Sequence, residues 1–239
     1  MRKLLTTAVT LAALAGCDVQ PVTVSGGGVS APTGPAPQVA RSSGSGTNVA
    51  DFRAVAARVE PVAESVCRQQ TRGANCDFRI IVESDPGLPA NAAQTYDRSG
   101  RPIIIFTANL LKEMRNRDEV AFALSHEAAH HIEGHIEQTQ ASAQTGALLG
   151  VLVGSIAGLD SQQVAQARDI GGTFGARRYS KNFELEADRL GAIIAERAGY
   201  NAVNGVQYFA RAADPGDRFL GTHPPNRDRI TIVRQTVGR

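Results

Sequence analysis

The chain has 239 residues, 42% of them hydrophobic, with 25 Lys and Arg against 23 Asp and Glu. That length supports one sizeable core and is short for two ordinary domains. The near balance of charge offers no basic surface, so no nucleic-acid partner is expected.

Arg2 and Lys3 precede an apolar run from Leu4 to Ala15, too short to span a bilayer but of signal-peptide length. Leu14-Ala15-Gly16-Cys17 then looks like the lipobox of bacterial lipoproteins, where cleavage falls before a cysteine that carries lipid. The bland alternatives are a plain signal peptide, or an uncleaved N-terminal helix in which Cys17 is incidental. The expected boundaries are a leader over 1–16, lipidated Cys17 and a flexible linker over 17–50, and one folded domain over 51–239. Val19 to about Asn48 is rich in Gly, Ser, Pro and Thr and cannot bury enough apolar surface to fold. It would be a tether reaching about 30 Å from a membrane that holds the acyl chains. The expected location is the bacterial envelope, facing the periplasm, at the outer membrane in preference to the inner.

Phe52, Val55, Val59, Val62 and Val66 recur at helical spacing, which predicts a helix from Asp51 to Gln70 capped by Asn48 or Asp51. Pro61 should make it bend or restart. Cys67 and Cys76 are expected to form a disulfide in an oxidising compartment. Metal ligation by that pair would lack a nearby His or third Cys. Phe78–Val82, Ala93–Tyr96 and Pro102–Phe106 read as strands, the last two hairpinned through Asp97–Gly100.

From Thr107 the pattern is helical, with Asp118 a plausible cap for a helix that runs through the histidines to about Gln138. The predicted fold class is therefore α+β, a small sheet followed by a mainly helical remainder. Gly146, Gly150, Gly154 and Gly158 recur every four residues in an apolar stretch ending at Leu159. One helix face there carries no side chains. Close packing within the domain, a dip into a bilayer and self-association all fit this stripe, but the stretch is too short to span a membrane.

Four of the five histidines lie between positions 126 and 135. His126-Glu127-Ala128-Ala129-His130 is an H-E-x-x-H sequence, for which about 0.005 chance matches are expected at this composition. On a helix, residues i and i+4 share a face, so both imidazoles can reach one Zn²⁺. Glu127 is offset by about 100°, outside the ligand row but placed to touch a water at the open coordination position. A third ligand on the same helix is too far along the axis, which disfavours Glu133 and Glu137. His131 and His135 point off the metal face and read as surface or helix-packing histidines. Glu184-Leu185-Glu186-Ala187-Asp188 lies in a second helical stretch, opening near Ser180 and ending near Gly199. Glu184 can complete the site, and Asp188, one turn on, can accept the Nδ1–H of a ligating histidine. Glu186 falls on the far side and reads as solvated or salt-bridging.

The order of H-E-x-x-H, a hydrophobic insertion, E-x-x-x-D, Ala198-Gly199-Tyr200 and Thr222-His223-Pro224-Pro225 with Arg229-Ile230 resembles the membrane-associated gluzincins. These include the HtpX heat-shock protease, the CaaX prenyl-protein proteases and exported bacterial lipoprotein relatives, and the likeness covers about Asn91 to Ile230. It implies a zincin-like metallopeptidase domain holding one Zn²⁺ through His126, His130 and Glu184. It further implies Glu127 as base, Asp188 behind a ligand, and His223 near the reacting carbonyl. The hairpin from Ala92 to Phe106 would supply an edge strand for an extended polypeptide substrate. Integral members of the family have transmembrane spans where this chain has only Gly146–Leu159, which points away from an intramembrane or prenyl-protein substrate.

The expected activity is hydrolysis of internal peptide bonds in exported, unfolded or misassembled envelope proteins. The rival is a membrane-tethered, chaperone-like binding module of the same fold with little proteolysis. A further alternative is an enzyme whose segment after His135 covers the metal until substrate displaces it.

Overall fold

The computed structural model describes residues 47–177, 180–213 and 224–238; the expected leader, Cys17 and nearly all of the linker lie outside these residues, as does His223. Helix α1 (Val49–Gln70) is capped by Asn48, whose side chain accepts from the Asp51 amide at 3.0 Å. Its apolar stripe of Phe52, Val55, Val59, Ala63 and Val66 is buried. The helix neither stops nor restarts at Pro61. Pro61 is on the exposed side, where water can satisfy the carbonyl that loses its intrahelical partner. The Cys67–Cys76 disulfide is formed and closes the chain between α1 and the sheet.

The sheet contains β1 (Arg79–Glu83), β2 (Ala92–Tyr96) and β3 (Pro102–Thr107) in the order β1-β3-β2. β1 runs parallel to β3, and β2 pairs antiparallel with it, Ala93 opposite Ile105. The expected hairpin is present. Its turn is held by Asp97, whose carboxylate accepts from the amides of Ser99 at 2.8 Å and Arg101 at 3.0 Å. β2 is consequently an edge strand, and Ile104 and Phe106 of β3 point into the core.

After α2 (Ala108–Glu113), α3 (Arg117–Ile132) runs through the middle of the domain, burying Val120, Ala121, Leu124, Ala128 and Ala129. Two details differ from expectation. The cap is Asn116, which accepts from the Glu119 amide at 3.0 Å, while the carboxylate of Asp118 accepts from the Asn201 amide instead. The helix also ends at Ile132: Gly134 takes a left-handed conformation at φ 66°, and a new helix, α4, covers His135–Ile156. Glycine is the residue that adopts this conformation without a Cβ penalty.

α4 and α5 (Ser161–Arg177) form a hairpin zipped by glycine. A Cβ on Gly146 would collide with the Gly171 carbonyl, and one on Gly150 with that of Ala167. The glycine stripe thus serves close packing within the domain. On another side of α4, Leu148, Leu149, Leu152, Val153 and Ile156 are exposed. No described helix is long and apolar enough to cross a membrane. α6 (Ser180–Arg197) then packs on α3, and after α7 (Ala202–Gly205) and α8 (Gln207–Arg211), α9 (Asn226–Val237) packs on α6. The domain is α+β as the pattern predicts.

Gly150→Leu should cost about 1–3 kcal/mol, the usual penalty for overpacking a tight contact. The loss should appear as faster amide exchange confined to residues 141–175. Zinc content should stay at the wild-type level, and loss of zinc from this variant would show that the hairpin and the metal site are one cooperative unit.

Candidate metal centre

α3 is held rigidly at the end that precedes its histidines. Glu119, buried at its first turn, accepts from the Arg115 amide at 2.9 Å and pairs with Arg211 at 2.7 Å. Two turns further on, α6 crosses α3 at Gly191, where a Cβ would stand 2.9 Å from the His126 nitrogen. This close crossing brings Glu184 and Asp188, two turns and one turn earlier on the same face of α6, against His126 and His130.

His126 Nε2 lies 3.0 Å from His130 Nε2. Glu184 Oε2 lies 3.7 Å from the first of these atoms, and Oε1 lies 3.3 Å from the second. Four ligands held tetrahedrally at about 2.0–2.1 Å from zinc stand about 3.3 Å from one another, so these separations bracket what zinc requires. One donor atom from each residue falls within a common 4.8 Å.

The proton positions agree with that use. His126 Nδ1 faces Asp188 Oδ1 at 3.0 Å, and an ionised carboxylate only accepts, so Nδ1 carries the hydrogen and Nε2 presents a lone pair. Asp188 is 0% exposed and receives two hydrogen bonds from Arg229, Nε to Oδ2 and Nη2 to Oδ1, both at 2.7 Å. Burial alone would raise the Asp188 carboxyl, but the charge and hydrogen bonds of Arg229, aided by His126, outweigh it and hold it below the usual carboxylate range. The Arg229 guanidinium lies over the Phe209 ring, 3.6 Å from its centre, and its Nη1 stands 3.5 Å from Glu184 Oε2.

His130 Nδ1 faces His135 Nδ1 at 2.9 Å, and His135 Nε2 faces Glu186 Oε2 at 3.2 Å. His135 is 3% exposed and stacks on Phe183 with ring centres 4.4 Å apart. Burial, then the neighbouring His130, pushes its imidazole down to about 4, which leaves it neutral. The reading of His135 as off the site is therefore corrected, because the break at Gly134 puts it on a different helix from His130. His131 does pack structurally, bonded to the Tyr96 hydroxyl at 3.0 Å and the Asn75 carbonyl at 2.8 Å.

His126, His130, His135, Glu184 and Arg229 line a cavity of about 780 Å³, as does Glu127. Ala92, Ala93 and Gln94 of edge strand β2 form one wall, and Ile136, Thr139 and Gln140 at the root of α4 form another. The family model of peptidase family M48 matches residues 50–237. The chain belongs to that family. M48 peptidases are zinc metallopeptidases, so the donor set and the family agree. No curated protein matches the chain.

Arg229 was legible only as part of a motif of the M48 type, without a role, since nothing in its local sequence marks an arginine for a buried carboxylate. The signal for His135 was Gly134, a helix-stop residue that interrupts the helical register on which its placement depended.

Arg229→Met should destabilise this M48 domain by about 3–5 kcal/mol, because it strands a buried carboxylate. Combining it with Asp188→Asn should recover part of the loss in urea unfolding. The pair also has a pH signature. Because the folded carboxyl of Asp188 lies below its unfolded value, its stabilisation is complete above about pH 3.9 and disappears as pH falls through the folded value. The double variant should lack that component of the acid limb.

Proposed function

We propose that this M48 domain is an endopeptidase in which His126, His130 and Glu184 hold one Zn²⁺ and Glu127 is the general base. The observation that carries this reading is the convergence of three donors, within 4.8 Å of one another, in a cavity walled by an edge strand and lined by the carboxylate of Glu127. When bound, zinc supplies an acidified water and polarises the scissile carbonyl. Glu127 takes the water's proton and returns it to the departing amine. β2 offers main-chain donors and acceptors to an extended substrate, which suits internal bonds of unfolded chains because strand pairing reads backbone more than side chains. Asp188 and Arg229 keep His126 in the tautomer that a metal needs.

His223 completes the proposal as a hydrogen-bond donor to the oxyanion. It lies outside the described residues; its support is the motif it occupies and the buried chain that follows, where Pro224 and Pro225 lead into α9 and Arg229. The substrates we propose are exported, unfolded or misassembled envelope proteins. The domain would meet them while tethered through lipid on Cys17, and the sequence from Arg2 to Cys17 supports that tether.

Incubation with unfolded polypeptide, with and without a chelator, tests the reading. Glu127→Gln should retain zinc and lose about 10²–10⁴-fold in kcat, since an amide cannot accept the proton. Zinc loss from this variant would remove Glu127 from the role of base, and undiminished cleavage would do the same. A protein that binds unfolded chains and zinc but never cleaves would be the binding module instead.

His223→Phe should keep fold and zinc, leave KM nearly unchanged and lower kcat by about 10²-fold or more, roughly 2.7 kcal/mol of transition-state stabilisation. Wild-type turnover would take His223 out of the mechanism.

A further inference from the structure

His126 and His130 are supported differently. His126 Nδ1 rests directly on a carboxylate that is fully buried, whereas His130 Nδ1 rests on a second imidazole, whose other nitrogen reaches a carboxylate. We infer that His135 and Glu186 form a two-step relay that fixes the tautomer of His130 and so positions it as a metal ligand. This inference rests on the proposal that His130 holds zinc.

The argument follows from what each atom can donate. The His130 Nδ1 to His135 Nδ1 contact, at 2.9 Å, needs one hydrogen between two ring nitrogens. If it belonged to His135, His130 Nδ1 would be the acceptor and the hydrogen of His130 would sit on Nε2, the atom that faces His126 and Glu184, which could not then bind a metal. If it belongs to His130, Nε2 is free to ligate. Glu186 decides between these arrangements. Its carboxylate only accepts, and at 3.2 Å it is placed to take a hydrogen from His135 Nε2, which leaves His135 Nδ1 as the acceptor when His130 ligates through Nε2. That lone pair demands the hydrogen from His130 Nδ1. The chain of bonds runs from His130 through His135 to Glu186, each donor meeting an acceptor, and one set of tautomers satisfies it throughout.

The setting suits a positioning role. The stack on Phe183 fixes the plane of the His135 ring at 16° to its neighbour. Glu186 is about half exposed, so its carboxylate keeps water on one side and ends the relay without a buried unpaired charge. Neither residue would touch the substrate. Both would act through His130.

The test measures zinc affinity of the whole chain by competition with a chromophoric chelator. His135→Phe keeps the stack and the volume but removes the acceptor, and it should weaken zinc binding by about 10–100-fold, the usual effect of losing a partner behind a ligating histidine. His135→Asn, whose Oδ1 occupies nearly the position of Nδ1, should restore most of that affinity. Glu186→Gln, a half-exposed position at which the fold is not at stake, should weaken binding by less, and should add nothing in the His135→Phe background because both changes break one chain. The visible spectrum of the cobalt-substituted protein should change for His135→Phe and return toward wild type for His135→Asn. Wild-type affinity in both His135→Phe and Glu186→Gln would overturn the relay while leaving the metal site intact. Equal losses in His135→Phe and His135→Asn would also overturn it, reducing His135 to packing. A wild-type chain that binds no zinc would instead remove the proposed function itself.

Discussion

At Gly191 the backbones of α6 and α3 are in contact, and a side chain there would force them apart. The distances from Glu184 and Asp188 to the α3 histidines depend on that approach. Glu184 is a short residue for reaching a metal from a neighbouring helix, and a displacement of 1 Å would take its carboxylate beyond ligand distance of a zinc ion held by two imidazoles. Asp188, shorter by one methylene, lies nearer to the crossing than Glu184, as its 3.0 Å contact with His126 requires. The order of residues on α6 therefore matches the splay of two helices away from a tight contact.

The crossing places two carboxylates in a dry region, and their charges need partners. Arg229 neutralises Asp188 through two short bonds, and it reaches them from α9, which packs on α6. A lysine could supply the charge but not the fork, and it would not lie flat over Phe209 as the guanidinium does. Asp188 and Arg229 together carry no net charge. Glu184 and Glu127 then leave the cavity with negative charge beside the two imidazoles, which suits a dication.

Much of this was legible because it is periodic. H-E-x-x-H and E-x-x-x-D are statements about one helix face, and α3 and α6 are regular helices, so residues one turn apart do stand together. The strands were legible for the same reason, although β1 begins one residue later than its β-branched run suggests, since Phe78 turns into the core instead of joining the ladder. What was not legible depends on interruptions and on distant chain. Pro61 was expected to make α1 bend or restart, and α1 runs through it without restarting, because its exposed side lets water take the orphaned carbonyl. Gly134 was passed over and does break its helix, which moved His135 to a new element and a new role. Arg229 meets Asp188 across 41 residues of sequence, and no local pattern records that pairing.

The turn at Gly134 is also where the metal centre and the α4–α5 hairpin adjoin. His130 belongs to the last full turn of α3, His135 is the first residue of α4, and their bond bridges the turn between the helices. A residue with a Cβ at position 134 would resist φ 66° at a cost of about 1–2 kcal/mol, and relaxing that strain would rotate α4 about its first residue. The His130 contact lies beside that pivot, so a small rotation changes its angle more than its length. The exposed apolar residues of α4 lie more than three turns away at the other end of the lever, where the same rotation becomes a displacement of several ångströms. Hydrogen-bond direction at the ligand and the orientation of the hairpin are thus set by the same backbone dihedrals.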